Sequence, residues 1–487
     1  MKIAIVSSEA VPFAKTGGLA DVAGTLFREF WQMGNEVVLF LPLYRCIMSR
    51  FGGALKELDE QFSIRLGSED VVCRLFSLDK MPFAAKAGRR PGGQSGRVIF
   101  ICNDAFFDRD DLYGTAGAEY ADNAQRFIFF SKAVPEAISR LGYAFDAIHC
   151  NDWQTGLVPY YLKTMRSGAP VFARSRSVFT IHNLGYQGIF PPETMALTGL
   201  GWEHFTMHGL EFYGQMNLLK AGIVGADEIT TVSPTYAREI LTPEHGFGLE
   251  GALLSRRESL HGILNGIDYA EWTPYADPHL PSHYSSTHLA GKAWCRRKLV
   301  REWKLADGLA RPLISFVGRL ADQKGVDLLA EAIPEIIGLG ANIVIVGTGD
   351  ARLQDMLVSL RARFPDNLHL TIGFDEAHAH HVYAASDLFL MPSRYEPCGL
   401  GQMIAMRYGT IPVARRTGGL ADTIDHGRTG FLFDEPTAVA LAASVREALA
   451  AFADKRAWRR ITRAAMDEDF SWTSSARQYL DLYRGGE

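Results

Sequence analysis

Two α/β domains, each built around a largely parallel sheet, are the fold this sequence predicts. Short β-branched runs alternate with helical patterns almost from end to end, which is the signature of βαβ units. A chain of 487 residues is too long for one hydrophobic core and suits two domains of ordinary size. The unusual polar residues gather at the ends of expected strands, the edge where open α/β sheets bind ligands.

Strands are expected in the first half at residues 2–6, 36–41, 97–102, 146–150, 177–182, 228–232 and 262–264. In the second half they are expected at 313–317, 342–346, 368–372, 387–391, 410–413 and 430–433. Residues 268–286, rich in Pro, Tyr, His and Ser, have no clear period and read as the crossing between domains. Residues 88–96 are a breaker-rich surface loop, because no Gly-Lys-Ser/Thr closes them into a phosphate loop.

Hydrophobic residues make up 47% and charged residues 22%, as in a soluble globular protein. A net charge of −5 leaves no basic excess to displace counterions, which argues against a nucleic-acid partner. No apolar run is long enough to cross a bilayer, and the chain opens directly as a strand, so a cytoplasmic, membrane-free protein is expected. Six cysteines without CxxC spacing suit reduced, buried thiols.

One phrase occurs twice, about 400 residues apart: Lys15-Thr16-Gly17-Gly18-Leu19-Ala20-Asp21-Val22 and Arg416-Thr417-Gly418-Gly419-Leu420-Ala421-Asp422-Thr423. Each copy sets a cation and paired glycines before an apolar-periodic run, so each is expected to present backbone N–H groups and positive charge at a helix start. In the second half, Arg319 and Lys324 share one strand-to-helix loop, suited to a diphosphate. Gly347-Thr348-Gly349 is a glycine turn, but the dinucleotide fingerprint G-x-G-x-x-G is absent, which removes the main support for a dehydrogenase. In Pro392 to Gly401, Glu396 precedes Pro397, expected to open a helix whose N–H groups meet phosphate while the carboxylate meets sugar hydroxyls.

Together with Thr180 to Asn183 and Ile263 to Asp268, these segments resemble bacterial glycogen synthases and plant starch synthases, glycosyltransferase family 5. The resemblance runs through the whole chain in order. It implies the GT-B architecture, two Rossmann-like domains facing a deep interdomain cleft. It also implies an acceptor and catalytic domain at 1–267, a nucleotide-sugar domain at 268–469, and a tail at 470–487 that returns to the first domain as a helix. The implied activity is retaining transfer of glucose from ADP-glucose to the non-reducing end of an α-1,4-glucan, elongating glycogen. By the same resemblance Lys15, Gly17 and Gly18 lie at the phosphates and donor glucose, and Asp21 supports that loop. Asp152, His182 and Asn183 line the glucose side, and Asn265 lies near the reacting centre. Arg319 and Lys324 hold the diphosphate, with Gly349 in the adjoining turn. Phe374 stacks on adenine, Glu396 binds glucose hydroxyls, and Cys398, Gly399 and Leu400 offer N–H groups. Gly401 stands where many relatives carry a hydroxyl residue.

No cofactor or metal is expected, because Lys15, Arg319 and Lys324 would offset the charge on departing ADP. No unassigned carboxylate suits a nucleophile, which favours front-side attack over a covalent adduct. Asp108-Arg109-Asp110 reads as a solvated loop rather than a metal-binding D-x-D pair, and His378-Ala379-His380-His381 as ordinary helix. Trp153, Tyr186, Phe190, Trp202 and Tyr213 read as core before glucan-stacking platforms. A sucrose-phosphate or trehalose-phosphate type transferase leaves the N-terminal phrase unexplained, and a non-catalytic glucan scaffold leaves the four charged loop residues unexplained.

Overall fold

The computed structural model describes all residues except 80–95, 116–117, 166–167, 306, 308, 374 and 486–487. The breaker-rich loop therefore lies outside the described residues apart from Gly96, and Phe374 lies outside them entirely. The chain separates into two compact units, one of Met1–Val232, Ala237–Ile263 and Trp472–Glu487, the other of Ser233–Tyr236 and Leu264–Ser471.

In the first unit nine strands form one sheet among the described residues. Their spatial order is Leu260–Gly262, Glu228–Thr231, Arg176–Ile181, Ala147–Asn151, Lys2–Val6, Glu36–Pro42, Gly96–Cys102, Glu69–Leu78, Lys56–Leu66. The first seven run parallel, and the last two add an antiparallel edge. Ile3, Ala4, Ile5 and Val6 are fully buried, the pattern of a parallel strand covered on both faces. The helix Gly18–Gln32 buries Leu19, Val22, Ala23, Leu26, Phe27 and Phe30, a helical stripe that packs onto that sheet. The final helix, Trp472–Arg484, buries Trp472, Ala476, Tyr479, Leu480 and Tyr483 and packs against Gly18–Gln32 within the same unit.

The second unit holds six parallel strands in the order Leu368–Ile372, Asn342–Gly347, Leu313–Val317, Leu388–Met391, Ile411–Arg415, Phe431–Phe433. Leu299 and Val300 from Ala290–Glu302 and Val382 from Glu376–Ala385 close a core over Leu313, Val344 and Val346.

Every expected strand is present, displaced by no more than two residues. The antiparallel pair Lys56–Leu66 and Glu69–Leu78 was not expected from the sequence. Phe62, Ile64 and Leu66 alternate with exposed Ser63 and Arg65 before the turn at Gly67, a two-residue period that marks a hairpin.

Candidate functional site

Each sheet has one point where chain order reverses, and there two loops part to leave a crevice. In the first unit it falls between Lys2–Val6 and Ala147–Asn151. The loop after Val6 carries Lys15, Gly17 and Gly18; the one after Asn151 carries Asp152. Lys15 Nζ pairs with Asp21 Oδ1 at 2.7 Å on an exposed surface. Adding a Cβ to Gly17 or Gly18 would meet nothing within 4 Å, so these glycines leave room beside the backbone. Gly17 itself is extended, with φ −155°.

Glu9 organises this turn and was not singled out in the sequence. Only 4% exposed, its carboxylate accepts the Thr16 N–H at 2.5 Å, the Gly17 N–H at 3.3 Å and the Tyr113 hydroxyl at 3.1 Å. Burial pushes its pKa up against the opposing pull of those hydrogen bonds. The Thr16 and Gly17 N–H groups expected to face an anion are thus occupied by an internal carboxylate. The only hint in sequence was an acidic residue in an otherwise apolar stretch after the first strand.

Asp152 adopts φ 55° and ψ −179°, a region nearly reserved for glycine that costs of order 1–3 kcal/mol. Its Oδ1 accepts the His182 N–H at 2.8 Å, and its own N–H donates to Thr180 O at 3.0 Å. His182 Nε2 lies 2.9 Å from Asn151 Oδ1, and Asn151 Nδ2 donates to Val6 O at 3.1 Å. Asp152 and Asn151 together therefore tie the ends of three neighbouring strands. Asn183 Oδ1 accepts the Gly185 N–H at 2.9 Å and shapes the following turn. Beneath them His149 is fully buried, with Nε2 at 2.5 Å from Thr180 Oγ1 and Nδ1 at 2.7 Å from Tyr483 Oη of the final helix.

Burial lowers the pKa of His149 and of His182 to about 3, so both are neutral at physiological pH. Each histidine contributes stability that is complete above its unfolded pKa, near 6.5, and is lost as pH falls toward 3. Burial raises Asp152 to about 7, which acts oppositely: its contribution is complete below 3.8 and lost as pH rises through 7. Between those limits the two histidines favour higher pH, while Asp152 and Glu9, both raised by burial, oppose them. Urea unfolding of a His182→Gln variant should accordingly lose less stability between pH 6.5 and pH 5 than the wild type does. Equal losses would contradict a neutral, buried His182.

In the second unit the reversal lies between Leu313–Val317 and Leu388–Met391. The loops leaving these strands carry Arg319 and Lys324 on one side and Ser393 to Leu400 on the other. Lys324 Nζ meets Glu396 Oε2 at 2.5 Å, with side chains 19% and 6% exposed, and Ser393 Oγ donates to the same oxygen at 3.0 Å. Arg319 is more open and donates to Gln323 Oε1 at 3.0 Å. Gly325 and Gly349 permit this crossing: a Cβ would sit 2.0 Å from Pro392 O at the first and 2.3 Å from Leu320 O at the second. Trp272, Phe316, Lys324, Tyr383, Ser393 and Leu400 line a cavity of about 220 Å³ in the same unit.

The helix expected to open at Pro397 begins at Gly401 instead. Cys398 to Leu400 form an open turn in which Gly399 has φ 74°, and Gln402 Nε2 donates to Cys398 O at 3.0 Å and to Gly399 O at 2.8 Å. The Cys398 thiol is pushed up to about 12 by burial, which makes it inert. Asn265 is 7% exposed, and its Oδ1 is a buried acceptor without a partner among the described residues.

The second copy of the repeated phrase corrects the expectation placed on it. Gly418 and Gly419 are buried, and a Cβ would fall 1.9 Å from Glu396 O or 2.1 Å from Cys398 O. The Gly419 N–H donates to Glu396 O at 3.1 Å, and Asp422 accepts both the N–H and hydroxyl of Thr235 at 2.7 Å. Arg416 is engaged by Asp434. This copy braces the Glu396 turn rather than offering an anion site.

Tyr186, Trp202 and Tyr213, read as core, are 51%, 61% and 77% exposed, whereas Trp153 is 7% exposed. Asp108 and Asp110 both pair with Arg45, and Arg109 pairs with Asp122.

Each unit is an open α/β sheet with charged loops at its reversal point, the crevice where such sheets bind ligands. Residues 2–255 match the family described as the starch synthase catalytic domain, and residues 311–451 match glycosyl transferases group 1. The glycogen synthase of Thermodesulfovibrio yellowstonii is 44% identical over 100% of this chain and 98% of its own. That of Myxococcus xanthus is 45% identical over 99% of both chains. Among solved structures, the catalytic domain of starch synthase IV from Arabidopsis thaliana, bound to ADP and acarbose, superposes with TM-score 0.87. It is 33% identical and covers 100% of this chain and 99% of that one. Sucrose-phosphate synthase from Thermosynechococcus elongatus, 19% identical over 99% of this chain and 98% of its own, shares the fold with TM-score 0.60. The chain belongs to the glycogen and starch synthase family of glycosyltransferases.

Proposed function

We propose that this chain transfers glucose, with retention, from ADP-glucose to the non-reducing end of an α-1,4-glucan, and that the reaction needs no metal ion. The observation that carries the reading is the Lys324–Glu396 pair at the reversal point of the second sheet, with Arg319 in the adjoining turn. Departure of ADP builds charge on a phosphate oxygen while the sugar gains oxocarbenium character. Fixed guanidinium and ammonium groups stabilise that oxygen more in the transition state than in the ground state. Glu396, held by Lys324 and Ser393, presents its carboxylate to glucose hydroxyls. In this reading the reacting carbon is served by Asn265, whose amide oxygen is buried and has no partner among the described residues.

For the first unit, neutral His182, held by Asn151 and Asp152, suits hydroxyl recognition. Lys15 and the open surface at Gly17 and Gly18 are the first unit's anion contacts in this reading. The ADP and acarbose bound to the Arabidopsis starch synthase support a nucleotide donor and a glucan-like acceptor here. A cytoplasmic setting is part of the proposal and is consistent with six unpaired cysteines.

The decisive assay compares labelled ADP-glucose with UDP-glucose on glycogen, with and without EDTA. Faster transfer from ADP-glucose that persists in EDTA is expected. Preference for UDP-glucose would overturn the donor, and chelator loss restored by Mg²⁺ or Mn²⁺ would overturn the metal-free chemistry. Exposed Trp202 and Tyr213 suit stacking on long glucans. Their replacement by Ala should raise KM for glycogen several-fold while leaving transfer to short maltooligosaccharides unchanged, as initial rates would reveal.

A further inference from the structure

We propose that Glu271, Glu376 and His380 bind a divalent transition-metal ion of the zinc type that clips two segments of the second unit together, outside the transfer chemistry. The helix Glu376–Ala385 sets Glu376 and His380 four residues apart, on one face. Glu271 comes from the segment after Leu264, and one ligand atom of each of the three residues lies within 4.8 Å of the others. Acidic residues alone would say little, but the histidine points to a ligand.

His380 is 1% exposed. Its Nδ1 is 2.7 Å from Asp277 Oδ2, a fully buried carboxylate that also accepts the Tyr408 hydroxyl at 2.5 Å. Trp272 stacks on the ring at 4.0 Å and 11°, which prevents it from swinging away. The remaining nitrogen, Nε2, is buried and has no hydrogen-bond partner among the described residues. A carboxylate on one imidazole nitrogen orients the ring and raises the basicity of the other, the arrangement that supports metal-bound histidines. Nε2 is therefore the nitrogen left for an ion, with Glu271 and Glu376 supplying oxygens and water completing the shell.

One imidazole and two carboxylates suit Zn²⁺ better than Mg²⁺ or Ca²⁺, which take oxygen ligands. The ligand atoms of a zinc ion, each about 2.0–2.2 Å from it, fit within the 4.8 Å that bounds the present spacing, so a small inward movement of the two glutamates closes the shell. Glu376 is exposed and Glu271 half-exposed, so both can. The ion would fix the segment bearing Trp272, which also lines the cavity beside Lys324.

The full chain, stripped with chelator and dialysed, is titrated calorimetrically with Zn²⁺ and melted with and without it. One ion per chain and a raised melting midpoint are expected. Glu376→Gln and Glu271→Gln should each weaken binding at least about tenfold and remove the midpoint shift, with the unliganded melting of exposed Glu376→Gln unchanged. Replacement by Co²⁺ should give visible bands in the wild type that both variants lose. Failure of the wild type to bind Zn²⁺ stoichiometrically, or equal binding by both variants, would overturn the site. Neither result bears on the donor assay, which reads glucosyl transfer.

Discussion

Lys324→Ala should lower kcat for glucosyl transfer by an amount corresponding to about 2–4 kcal/mol, the range for losing one preorganised donor to a developing oxyanion. The ammonium is held 2.5 Å from Glu396 before any ligand arrives, so it reorganises little when charge builds on the leaving diphosphate. Removing it also strands Glu396, whose side chain is 6% exposed, and one partner lost from a buried pair costs more than the pair itself contributes. The double variant Lys324→Ala, Glu396→Gln should therefore recover melting temperature without recovering kcat. Steady-state kinetics and calorimetry on both proteins separate the two effects. A rise in KM at unchanged kcat would show that Lys324 binds only the ground state.

Deleting residues 472–487 should abolish cooperative folding of the first unit. Trp472, Ala476, Tyr479, Leu480 and Tyr483 are all buried there, and the Tyr483 hydroxyl serves buried His149. Truncating one large buried aromatic costs about 3–5 kcal/mol, and three such residues approach the whole stability margin of about 5–15 kcal/mol. Loss of a calorimetric transition, or insolubility, is the expected result. An unchanged melting profile would contradict it.

The strands were legible because a parallel strand buried on both faces must be apolar throughout, as Ile3 to Val6 and Ile343 to Val346 are. Lys324 and Glu396 were legible because charged residues at the carboxyl ends of such strands stand out. Their mutual contact was not, since 72 residues separate them and only the sheet order brings them together. Glu9 escaped notice because nothing in a one-dimensional reading distinguishes a carboxylate that receives backbone N–H groups from one facing water. The exposure of Tyr186, Trp202 and Tyr213 was misjudged for a related reason: short strands and turns around them leave no period from which a buried face can be inferred. His380 read as ordinary helix because its bond to Asp277 and the approach of Glu271, both more than 100 residues away in sequence, are set by tertiary packing.

The two copies of one phrase should drift in opposite ways under random substitution. Small side chains at Gly17 or Gly18 have open space around them, so such variants should accumulate as folded protein with altered kinetics. At Gly418 and Gly419 even a methyl group collides with the backbone of Glu396 or Cys398, and Gly418 has φ 44°, so the same changes should appear as lost soluble protein. A saturation library scored separately for abundance and for turnover would separate them. Identical letters would then carry unequal information: at the first copy about chemistry, at the second about whether the chain survives in the cell at all.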